Sequence, residues 1–223
     1  MIITDSEIIR AQTNTVNYLL KLEPERFLHE MYKVAGLEPP TEEGYQGWER
    51  SDRVNFRGHF FGHYISALAQ AVDVVSDCET QRMLMDKLHI AIEGIAAAQT
   101  NYAIKHPEHC GYVSAFREVA LDEVEGRDVS VDQKENVLVP WYCLHKIFAG
   151  LIDTHEAVND RDPVLSSVAL DAASATNCLA SGFPVLKKTL FSHLTMKCMT
   201  SGMASISQSN RLTLPTHQKV SPK

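Results

Sequence analysis

Two histidines four residues apart, His59 and His63, sit in the run Arg57-Gly58-His59-Phe60-Phe61-Gly62-His63-Tyr64, and Pro140-Trp141-Tyr142-Cys143-Leu144-His145-Lys146 repeats its character further on. Residues at i and i+4 share one face of a helix, so the two imidazoles are placed to act together. Three kinds of chemistry are open to them. A pair at this spacing binds zinc, but a zinc site needs a third and usually a fourth ligand, and the zinc-hydrolase form needs a glutamate where this chain has Phe60. Imidazoles also cap or pack helix ends with no ligand at all. Aromatic faces beside His and Arg donors at helix N-termini, finally, suit the apolar faces and hydroxyl-rich edges of a sugar. The candidate binding residues on that third reading are His59, His63, Trp141, Tyr142 and His145, with no catalytic residue and no metal ligand assigned. Arg57 either joins them or forms a salt bridge to an acidic loop. Glu49, beside Trp48, reads as a structural or sugar-hydroxyl contact more than as an acid/base.

The elements that must position these residues are helical. Phe61, Ile65, Leu68, Val72 and Val75 recur at steps of three and four, which puts them on one helical face. Leu84, Leu88, Ile92, Ile95 and Ala98 do the same after the polar break Ser76-Asp77-Cys78-Glu79-Thr80, so a helical hairpin is expected. Leu144, Phe148, Leu151, His155 and Val158 repeat the first pattern. Asp162 and Pro163 then supply an N-cap and a first helical proline, and Leu165, Val168, Ala169 and Ala172 continue on one face. The second hairpin resembles the first when His145 is set against His63, an offset of 82 residues. Repeated hairpins that each expose an apolar face imply stacking into an array or a closed ring. Upstream, one helix is expected over about 5–22, and another from Pro24 with Phe27, Leu28, Met31, Tyr32 and Ala35 inward and Gly36 as its stop. Between the hairpins, Tyr102 to Pro140 has little periodicity and many acids. Loops of that length either line a site or are disordered, and the apolar Gly111-Tyr112-Val113-Ser114-Ala115-Phe116 favours the site.

Composition narrows the function. The 223 residues are 44% hydrophobic and 22% charged, with a formal charge of −7, so collagen, a disulfide scaffold and wholesale disorder are excluded. Nucleic acid and membrane partners are not expected, since both need clustered basic surface and no window approaches the roughly 20 apolar residues of a membrane span. The N-terminus has no basic-then-apolar leader, which points to a cytoplasmic protein. Five scattered cysteines, Cys78, Cys110, Cys143, Cys178 and Cys198, read as buried reduced thiols. The mean charge hides a break: positions 176–223 carry six basic residues and no acid, whereas 1–175 carry 28 acids against 15 bases.

Three segments together, Arg57 to Ala69, Gly111 to Phe116 and Val139 to Asp153, resemble the N-terminal part of glycoside hydrolase family 127, the β-L-arabinofuranosidases. The resemblance covers about 5–175. It implies an all-α fold of helical hairpins forming part of an (α/α)6 toroid, with inner-helix ends and long loops around a sugar pocket, and an arabinose-containing oligosaccharide or glycoside as ligand. In that family a cysteine thiolate held on zinc by further cysteines and a glutamate is the nucleophile, with a separate glutamate as acid/base. These lie beyond the matching segment, so no catalytic residue, metal ligand or cofactor is carried over to this chain.

The expected organisation is therefore a domain at 1–175, the start of the toroid, and an irregular, acid-free tail at 176–223, disordered or produced by a change of reading frame, with a genuine extension as the alternative. The function expected is a fragment of a glycoside hydrolase acting on non-reducing-end β-L-arabinofuranosides. It would contribute part of the sugar-binding wall, be inactive alone, and self-associate through the open face of the toroid. The alternative is a non-catalytic helical-repeat binding module.

Overall fold

The computed structural model describes residues 5–50, 52 and 54–182. Seven α-helices run through them: α1 (Ser6–Lys21), α2 (Pro24–Ala35), α3 (His59–Val74), α4 (Cys78–Lys105), the short α5 (Val119–Val124), α6 (Pro140–Val158) and α7 (Pro163–Gly182). No strand occurs among the described residues, and the one β-type contact is the parallel bridge between Asn55 and Val137. The fold is all-α.

Local chemistry sets the helix limits. Asp5 caps α1 by accepting from the Glu7 and Ile8 amides at 2.9 and 3.1 Å. The carbonyls at its end are satisfied by neighbours: Tyr64 donates to Leu19 and Leu22, and Lys87 to Leu22 at 2.6 Å. Pro24 opens α2 and Gly36 closes it. Asp77 caps α4 through the Thr80 amide and hydroxyl, so the helix takes in most of the polar break that the periodicity placed between two helices. Asp162 caps α7 through the Leu165 amide at 2.9 Å, with Pro163 at its first position.

The periodic apolar residues form the core. Phe61, Ile65, Leu68 and Val72 of α3, Leu84, Leu88, Ile92 and Ile95 of α4, and Leu144, Leu151 and Val158 of α6 are fully buried. Each contributes about 1.5–3 kcal/mol of transfer free energy. Val75, Tyr32 and Val168 are only half buried, because each lies at the edge of its apolar stripe. α4 packs on α2, α3 and α7, while α3 and α6 form the closest helix pair.

That pair is made by glycine. A Cβ on Gly62 would lie 2.1 Å from the Lys146 carbonyl carbon, and one on Gly150 would lie 2.9 Å from the Gly62 carbonyl oxygen and from Ile65. Backbones at this range leave no room for any side chain. Moving forward from Gly62 to Ile65 on α3 moves forward from Lys146 to Gly150 on α6, so the two helices run parallel with their first turns at the same end. The 82-residue repeat is thus a physical one, two hairpins side by side.

The segment between the hairpins is ordered. Tyr112, Val113, Ala115, Phe116, Ala120 and Leu121 are buried in it. Gln99 donates to the Gly111 carbonyl, and the Asn55 amide donates to the Asn136 carbonyl at 2.9 Å. One expectation is corrected: among the described cysteines only Cys143 is buried, while Cys78 and Cys110 are exposed. Cys78 is the first residue of α4 and Cys110 follows a one-turn 3-10 helix, positions that face solvent. α7 continues through position 175 to Gly182, and the rest of 176–223, including the expected irregular tail and Cys198, lies outside the described residues.

Candidate functional site

The first turns of α3 and α6 meet beneath a short segment that leads into α3. A 3-10 turn, Gly47–Glu49, presents Trp48, whose carbonyl accepts from the Phe56 amide at 2.8 Å and whose ring stacks on Phe56 with centroids 4.5 Å apart. The chain then turns into α3 at Gly58, where φ is +91°, a value that suits glycine alone. Gly58 has no side chain to cap the helix. Glu49 caps it instead, accepting from the Gly58 amide through Oε2 at 2.9 Å.

Glu49 is 8% exposed, and its other oxygen, Oε1, has no partner in the protein. Burial pushes its carboxyl up to about 7, against the pull of the Gly58 and Phe60 amides and the Arg57 charge. The Cys143 thiol lies nearby on α6, pushed up to about 12 by burial and then by the Glu49 charge.

His59 is buried at the start of α3. Its Nδ1 lies 2.8 Å from the Phe56 carbonyl, which only accepts, so Nδ1 carries a proton and donates it there. The His63 ring stands edge-on to His59, centroids 6.0 Å apart, and the Tyr142 ring lies 5.8 Å from His59. His63 Nε2 is 3.3 Å from the Tyr142 hydroxyl. Burial, then the charges of Lys146 and His59, lower the pKa of His63 and favour its neutral form. The Lys146 ammonium sits over the Tyr142 ring at 5.0 Å. Trp48 and Tyr142 remain 57% and 41% exposed, an unusual state for large rings and one that suits a partner with an apolar face.

The structure therefore brings together His59, His63 and Tyr142 of the five residues picked from sequence. Trp141 and His145 lie on the adjacent stripe of α6, both half buried, with Trp141 packed against the core. Phe56, Trp48 and Lys146 belong to the face and were not among the five. Lys146 follows Tyr142 by four residues, a spacing that carried the signal; Trp48 was visible only as the neighbour of Glu49.

Arg57 is settled. Its guanidinium is buried and pairs with Glu135 of the acidic segment and with Glu30 of α2 at 3.4 Å, while Nε donates to Asn55 at 3.1 Å. Glu135 in turn takes Arg117 at 2.6 Å. The network ties the loop down beside the aromatic face and leaves Arg57 no role toward a ligand. Further along, Glu118 contacts His109, and burial followed by the charges of Asp122 and Glu108 pushes its carboxyl up to about 8.

The His59–His63 pair finds no third metal donor: no group of three or more His, Cys, Asp or Glu able to hold a metal occurs among the described residues. The zinc ligands of the family are expected beyond the matching segment, and no step is routed through zinc. No helix among the described residues is long and apolar enough to cross a membrane.

The family model described as beta-L-arabinofuranosidase, GH127 catalytic domain, matches residues 2–196. No curated protein matches the chain.

Proposed function

Because the chain belongs to the GH127 catalytic-domain family of glycoside hydrolases, matched over residues 2–196 of its 223, we propose that it binds a non-reducing-end β-L-arabinofuranoside across the face at the first turns of α3 and α6. The observation that carries this reading is the convergence of His59, His63 and Tyr142, from two helices, beside the exposed Trp48 ring. Trp48 and Tyr142 take the apolar face of the sugar ring. His59 offers Nε2 to one hydroxyl, its Nδ1–H being held by the Phe56 carbonyl. The neutral His63, the Tyr142 hydroxyl and the Lys146 ammonium supply the remaining polar contacts.

These groups bind and orient; they do not cleave. Retaining hydrolysis needs a nucleophile and an acid/base flanking one bond. Of the two carboxyls that burial raises, Glu49 is engaged on the Gly58 amide at the cap of α3 and Glu118 against His109. The chain is a sugar-binding portion of an (α/α)6 hydrolase, inactive alone and cytoplasmic. Titration of the purified chain with methyl β-L-arabinofuranoside, followed by tryptophan fluorescence, is expected to saturate, with no turnover of an aryl β-L-arabinofuranoside. Turnover by the chain alone would overturn its inactivity. Self-association with no sugar response would favour a helical-repeat binding module.

A further inference from the structure

We propose that Glu49 is a positioning residue for the sugar face, holding the first turn of α3 from outside the helix and thereby fixing where His59 and His63 point. This deepens the sugar-binding reading above and rests on it. The geometry is direct. The first amides of a helix have no intrahelical acceptor, and α3 begins at a glycine that supplies none. Glu49 comes from a separate turn and closes the gap with a 2.9 Å bond from the Gly58 amide. The residue after Gly58 is His59, and His63 stands on the same face one turn later. A carboxylate at a helix N-terminus also meets the positive end of the helix dipole. The His59 amide and ring both bond back to the Phe56 carbonyl, on the segment that Glu49 anchors.

The two carboxyl oxygens have different duties. Oε2 is committed to the helix, and Oε1 is buried with no protein partner, so a proton taken up by Glu49 goes to Oε1. Protonation leaves the Oε2 bond in place but removes the charge that strengthens it. Glu49 lines a cavity of about 200 Å³. The charged and titratable groups around it are His29 and Glu30 of α2, Glu42, Glu43 and Tyr45 before it in the chain, Arg50 and Asp52 after it, Arg57 and His59 at the entry to α3, and Cys143 of α6. Because burial outweighs that charge effect and holds the carboxyl at about 7, above its ordinary value in a loosened turn, the ordered turn binds the proton more tightly than the loosened one, and the sugar face is better ordered below that pH than above it.

The test compares the full wild-type chain with Glu49→Gln, which keeps the shape and one acceptor oxygen but cannot ionise. The first readout needs no sugar: the Gly58 and Phe60 amide proton shifts, followed by NMR from pH 5 to 9. They should move together with a midpoint near 7 in wild type and stay flat in Glu49→Gln. The second is the dissociation constant for methyl β-L-arabinofuranoside at pH 5.5 and 8.5. The imidazoles are common to both proteins, so their share cancels. Wild type should lose about threefold more affinity over this range than the variant. Flat amides in wild type, or titrating amides in Glu49→Gln, overturn the cap. Titrating amides with identical pH ratios for sugar in the two proteins overturn the positioning role. If neither protein binds the sugar at any pH while the amides titrate as expected, the sugar reading is what fails, and the cap stands by itself.

Discussion

Two histidine sites in this chain are built from opposite surroundings. At the first turns of α3 and α6, His63 meets aromatic rings, an ammonium and a second imidazole, and its pKa is lowered. Where α4 crosses the start of α7, His89 lies between two carboxylates, Glu93 at 2.9 Å and Asp162 at 2.8 Å. Burial alone would depress His89, but the hydrogen bonds and charges of Glu93 and Asp162 outweigh it and raise its pKa. One site holds a neutral ring next to exposed aromatic faces, the requirement for a neutral polyhydroxyl ligand. The other spends its imidazole on a clamp, since Asp162 is also the cap of α7. The type of residue is the same; the neighbours decide whether it binds or braces.

The largest expected effect falls on the frame that the two sites share. Gly62→Ala places a methyl 2.1 Å from the α6 backbone, so the parallel helices must separate. A loss of about 3 kcal/mol or more is expected by thermal or urea unfolding, with the sugar face lost as well. Unchanged stability would contradict the close α3–α6 packing. Trp141→Ala comes next, at about 2 kcal/mol of stability, because Trp141 packs against the core. If that variant instead loses sugar affinity at full stability, Trp141 belongs to the binding face.

Much of this frame is legible in the sequence. The inward stripes of α3, α4 and α6, the Gly36 stop and the Asp162–Pro163 start all depend on neighbours within four residues, which is the range that periodicity and capping rules read. What is missed depends on contacts between distant segments. Glu49 caps a helix whose N-cap, Gly58, lies nine residues later, through a turn with no signature of its own. Arg57 reaches Glu135, 78 residues on, and the loop they hold together looks unstructured because its order comes from that pairing and from buried side chains without a regular period. The site was half legible for the same reason. His59, His63 and Tyr142 stand at helix starts that can be read locally, whereas Phe56 and Trp48 join them only through the fold of the 47–58 segment.

Smaller effects separate the two histidine sites. Trp48→Ala should weaken methyl β-L-arabinofuranoside binding about tenfold and leave stability nearly unchanged, since the ring is 57% exposed. His89→Gln should do the reverse and only as a function of pH. A histidine whose folded pKa is raised stabilises the chain fully below its unfolded value near 6.5, and that contribution is lost as pH rises through the raised folded value. Wild type should therefore lose about 0.5 kcal/mol from this source between pH 6 and 8, a small figure because the pair is screened by solvent. His89→Gln should show a correspondingly flatter profile by urea unfolding. An identical slope in the two proteins would remove the clamp.

The central claim is that the α3–α6 face, and not the α4–α7 junction, meets the sugar. Calorimetric titration of methyl β-L-arabinofuranoside into wild type, His63→Ala with Tyr142→Ala, and His89→Gln tests it most directly. The expected result is saturable binding in wild type and His89→Gln, and none in the double variant with its helical content intact. Equal binding in all three, or loss on His89→Gln alone, would contradict the account.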